Sequence, residues 1–161
     1  MQQLQSYEEM SFKEELWNAI THGAGFLISI PVTVLLIIHA ISMNSPVHIV
    51  TFSIFGSSVI LLFLMSTLLH SMPVKYKRFF AILDHSSIYI LIAGTYTPFL
   101  LIAIGGALGI TLLCIIWSIA LFGVVFKCYF IDRFETFSLA LYIAMGWMIV
   151  FAIKPVYAYL Q

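Results

Sequence analysis

Long apolar stretches alternate with short polar breaks along this chain, and that rhythm carries most of what the sequence says about fold. A bilayer core takes roughly 20 apolar residues to cross, and runs at about 18–41, 47–71, 79–103, 107–127 and 135–153 each reach that length. Lipid offers backbone groups no water, so such runs must be helical; their periodicity is not that of strands. The breaks are short, which makes successive helices antiparallel neighbours. The pattern predicts an all-α, polytopic transmembrane helical bundle forming one domain over residues 1–161, with no soluble domain, linker or internal repeat.

Residues 1–16 interrupt the rhythm. They are polar and acid-rich, with Glu8, Glu9, Glu14 and Glu15, where a cleavable signal would be basic and then apolar. Ser11 and Glu14 have capping-box spacing, and Phe12, Leu16 and Ile20 recur every four residues. With Trp17 at the boundary, this reads as a short interfacial turn of helix entering the first span; a disordered tail up to Glu15 is the alternative.

Within the spans, Pro31 and Pro98 each remove a backbone donor and predict kinks, with Thr95 and Thr97 placed to satisfy carbonyls freed by Pro98. Ser53 with Ser57, and Ala140 with Ala144, have the small-residue spacing that permits close helix contact. Gly105 and Gly109 share it but fall at a break. Trp117, Tyr142 and Trp147 read as packing and interface anchors, not as a cofactor box.

Composition confirms the class: 62% of residues are hydrophobic and 9% charged, outside the range of soluble proteins. Seven basic and seven acidic side chains give no net charge, so membrane lipids are the expected partners and nucleic acid is not. Cys114 and Cys128 lie in or at the end of one apolar run and read as buried or cytoplasm-facing thiols, not as a disulfide framework. Placing the N-terminus in the cytoplasm puts Lys13, Lys75, Lys77, Arg78, Lys127 and Arg133 inside and only Lys154 outside. The positive-inside rule therefore predicts a multi-pass protein of the cell membrane with a cytoplasmic N-terminus.

Polar residues inside membrane segments are expensive, and a few stand out. His22 begins the first span, Ser66 and His70 share one side of the second near its end, and Asp84 lies about five residues into the third, or ~7 Å along its axis. His85 points about 100° away from Asp84. In the inferred topology His22, His70 and Asp84 converge toward the cytoplasmic face. Blander roles exist: His22 as a helix cap, His70 as an interfacial hydrogen-bonding residue, and His39 and His48 as outer interfacial residues. An unpartnered carboxylate at the depth of Asp84 is hardest to explain that way.

Glu15–Gly25 (E-L-W-N-A-I-T-H-G-A-G), Ser66–His70 (S-T-L-L-H), Leu83–Phe99 (L-D-H-S-S-I-Y-I-L-I-A-G-T-Y-T-P-F) and Met145-Gly146-Trp147 resemble the hemolysin III family. That family is grouped with the progestin and adipoQ receptors and, more distantly, with alkaline ceramidases. The resemblance covers essentially the whole chain and implies a seven-helix fold with a zinc site near the cytoplasmic side. It makes His70 a candidate metal ligand, Asp84 a contact through bound water and Ser66 a supporting residue; His22 is a weak substitute ligand. The family's histidine pair on a seventh helix has no counterpart, so five spans are expected, without the last two helices, and stable zinc binding is not.

Three functional classes follow. The resemblance implies pore-forming, cytolytic activity, for which a homo-oligomer would be needed because no span has a continuous polar face. By analogy with the ceramidases it also implies a zinc-dependent lipid amide hydrolase in a full-length form; enzymatic activity is not expected of these 161 residues, and no catalytic residue is assigned. The third class is a receptor-like or membrane-homeostasis protein without chemistry of its own.

Overall fold

A computed structural model of the chain describes residues 12–131 and 133–150. Among these the structure is helical throughout: α1 (Phe12–Ser42), α2 (Pro46–Ser71), α3 (Val74–Pro98), α4 (Gly106–Phe130) and α5 (Glu135–Trp147), with a π-helical turn, Phe99–Ile104, extending α3. Four helices, counting α3 with its extension as one of 31 residues, are long and apolar enough to cross a membrane. This is an all-α polytopic bundle.

Helices α1 and α3 begin several residues before their apolar runs. Helix α1 runs unbroken from Phe12, so the expected interfacial turn is its first turn; Ser11 of the capping box lies outside the described residues. Helix α3 starts at Val74 behind Pro73, whose ψ of 152° belongs to the chain entering a helix. Lys75, Lys77 and Arg78 therefore belong to its first turns and not to a loop, and Asp84 stands ten residues in, ~15 Å along the axis instead of ~7 Å. Hydropathy marks where lipid begins, while the helix starts where backbone geometry allows. The fifth expected span is described only in part: α5 has 13 residues, ~20 Å of helix, and positions 151–153 lie outside the described residues.

Helix α3 is central. It packs against α2 on one side and against α4 and α5 on the other, while α1 packs on α2. Tyr89, Ala93, Tyr96 and Leu100 of α3 and its extension form the core with Ile116 and Ala120 of α4 and with Met145 and Met148. The closest helix approaches fall at glycines: Gly56 lies on Thr33, Gly94 on Ser58, and Gly123 on the ring of Tyr89. The expected small-residue pairs do something else, since Ser57, Ala140 and Ala144 are exposed. Ser53 and Ser57 instead line an open groove of about 360 Å³ with Leu61, Ile90 and Trp117.

Helix α1 continues through Pro31. At Pro98 the ladder changes to the π-helical turn, closed by the Gly105 amide donating to the Leu100 carbonyl at 2.9 Å. The threonines satisfy other carbonyls than those expected: Thr97 donates to Ala93 and Thr95 to Leu91, each at 2.8 Å, whereas Pro98 deprives Gly94. Gly105 and Gly106, with φ of 63° and 57°, then turn the chain into α4 in a region that only glycine enters freely.

Candidate functional site

Burying a charge in lipid is tolerable only with partners, and the ionisable residues of this bundle gather accordingly at the end where α1, α3 and α5 begin and α2 and α4 finish. Glu15, in the first turn of α1, is the hub. Its Oε2 lies 3.1 Å from His70 Nδ1 at the end of α2, and its Oε1 lies 2.5 Å from Lys77 Nζ near the start of α3. The lysine contact is close but off the hydrogen-bonding direction, so it is a charge contact. All three side chains are largely buried, Lys77 to 6% exposure and the other two to 14%.

Beside this triad stand the remaining expected residues. The His22 and His70 rings lie 6.0 Å apart, and His22 also meets the edge of Phe63 at 6.0 Å. Asp84 lies among Ser66, His70 and His22, with His85 next to it on its own helix. The structure thus brings His22, Ser66, His70 and Asp84 together from three helices. His39 is exposed at the opposite end of the bundle, and His48 there pairs with Ser45 Oγ at 2.8 Å.

Asp84 and His85, adjacent in sequence, serve different faces of α3. Asp84 addresses α1 and α2, whereas His85 interacts with Lys127 of α4 and Glu135 of α5. Tyr142 donates to the His85 carbonyl at 2.8 Å, and its ring lies 4.3 Å from that of Tyr89. Lys127, read from sequence as a cytoplasmic-side cation at the end of its span, is 2% exposed and interacts with Glu135. Glu15, Lys77, Lys127 and Glu135 are the residues that sequence reasoning missed. A signal existed for Glu15, because it precedes His22 by seven residues and so shares its helix face.

Zinc needs three or four protein ligands. Among the described residues no three His, Cys, Asp or Glu side chains are grouped to hold one ion. His70 gives one ring nitrogen to Glu15, and Asp84 lies beside Ser66. The sequence has no histidine after His85.

Membrane-spanning helices around a buried, ion-paired polar site at one end define the class: a polytopic membrane protein with a helix-end site built from α1, α2 and α3. Comparison with known proteins makes this specific. The Haemolysin-III related family matches residues 10–161, and the chain belongs to that family. It is 56% identical over 152 residues to the Hemolysin-3 homolog of Bacillus subtilis (strain 168), covering 94% of this chain and 71% of that protein. It is 55% identical over 146 residues to Hemolysin-3 of Bacillus cereus, covering 90% of this chain and 67% of the relative.

Proposed function

We propose that this protein acts on the bilayer itself, as a membrane-permeabilising protein of the hemolysin type that works as an assembly of copies in the cell membrane, its basic end in the cytoplasm. The observation behind this reading is the distribution of polarity along the spanning helices. Their acidic and basic residues lie toward the basic end, apart from His39 and His48 at the other. Between the ends, hydroxyls turn back onto their own helices, as Ser29 does on Phe26, Ser53 on Ile49 and Ser58 on Phe55. One copy therefore presents no continuous polar face among the described residues, and a conducting path requires surfaces from several. The names of the two relatives supply the activity. Purified protein reconstituted into dye-loaded vesicles should release dye with a more than linear dependence on protein-to-lipid ratio. No release after verified insertion, or release proportional to single copies, overturns the proposal.

The second reading, a zinc-dependent lipid amide hydrolase in a full-length form, is favoured by Asp84 and Ser66 lying beside His22 and His70. Its distinguishing result is fatty acid released from a lipid amide once a C-terminal segment carrying the family's histidine pair is added, and lost in Asp84→Asn, without dye release.

A further inference from the structure

Nothing in the family resemblance gives Glu15 a role, yet this side chain is what ties the helix-end site together. A neutral imidazole carries its proton on one nitrogen and a lone pair on the other, and the hydrogen bond made by one nitrogen decides which is which. A carboxylate accepts and does not donate. Glu15 Oε2 at 3.1 Å from His70 Nδ1 therefore requires the proton to sit on Nδ1, leaving the lone pair on Nε2. Lys77 Nζ stands 2.5 Å from Oε1 of the same carboxyl, on the side away from the imidazole contact. The three residues come from different helices, so packing of α1 on α2 and of α2 on α3 fixes the arrangement. The His22 ring stands 6.0 Å from that of His70, with its own Nδ1 buried and without a hydrogen-bond partner among the described residues.

We propose that Glu15 is a positioning residue for His70: with Lys77 behind it, it locks neutral His70 in the Nδ1–H tautomer and presents Nε2 as a lone-pair acceptor for a hydrogen-bond donor, a water or a ligand hydroxyl, entering between α1, α2 and α3. A salt bridge that merely held helices together would instead use an imidazolium, protonated on both nitrogens and offering no lone pair. The assignment does not depend on whether the protein permeabilises membranes or hydrolyses lipids, and its test reads neither activity.

The test is nitrogen NMR of full-length protein with ¹⁵N-labelled histidine in detergent or nanodiscs, above the pH range where the histidine signals titrate. His70→Gln identifies the His70 signals by their loss. Wild type should show one His70 tautomer, protonated at Nδ1. Glu15→Ala should shift His70 toward the Nε2–H form that free imidazole side chains prefer. Glu15→Gln, whose carbonyl still accepts, should retain most of the Nδ1–H form, and the His39 signals should be unmoved throughout. Wild-type His70 protonated at Nε2 would overturn the proposal without recourse to any variant. So would an unchanged His70 pattern in folded Glu15→Ala.

Discussion

Tyr89 is fully buried, and Gly123 of α4 lies against the face of its ring, so that a methyl group added there would occupy the ring's own space. The ring is held by Tyr142 and the surrounding core and has nowhere to retreat. Gly123→Ala should therefore destabilise the bundle by about 1–3 kcal/mol, the usual cost of overpacking. Gly146→Ala is the control: nothing stands within 4 Å of the added carbon, and that change should be neutral or slightly stabilising. Reversible unfolding in mixed micelles would measure both. Residue chemistry was legible in the sequence where it was costly. Asp84 and His70 drew attention because lipid penalises them. Glu15, Lys77 and Lys127 escaped notice because long charged side chains near helix ends ordinarily reach water, and here they reach each other or Glu135 instead.

At the scale of elements, the apolar runs located every helix, because a lipid-exposed helix needs apolar residues all round. Their ends were less legible. The first turns of α3 carry Lys75, Lys77 and Arg78, which hydropathy assigns to a loop although Pro73 has already set the chain into a helix. Helix contacts were also misplaced. Spacing picks out Ser53 with Ser57 and Ala140 with Ala144, but Gly56, Gly94 and Gly123 make the close approaches, and which face meets a neighbour depends on packing that a single span does not encode. The orientation of the helices is testable directly. In a chain whose Cys114 and Cys128 are replaced by serine, Tyr76→Cys should be unreactive toward an impermeant thiol reagent applied to intact cells and reactive after permeabilisation. Tyr76 is 47% exposed, so access does not limit the result, and labelling from outside would reverse the topology.

At the scale of the molecule, the helices form an open series: α1 packs on α2, α2 on α3, and α3 on α4 and α5. Among the described residues no three His, Cys, Asp or Glu side chains are grouped to hold one ion. Elemental analysis of purified protein should accordingly find well under one zinc per chain; about one per chain, lost on His70→Ala, would mean that this sequence builds a site from donors arranged differently. The opposite end of the bundle holds a quieter device. The Tyr96 hydroxyl donates to the Gly146 carbonyl at 2.7 Å and accepts from the Ile149 amide at 3.0 Å, standing in for helix partners where the ladder of α5 breaks. Tyr96 lies two residues before Pro98 and the π-helical turn. The end of α5 is thus moored to α3 by a phenol instead of by its own backbone. Whatever bends α3 at its proline steers residues 146–149 as well, like a rudder worked from the neighbouring helix.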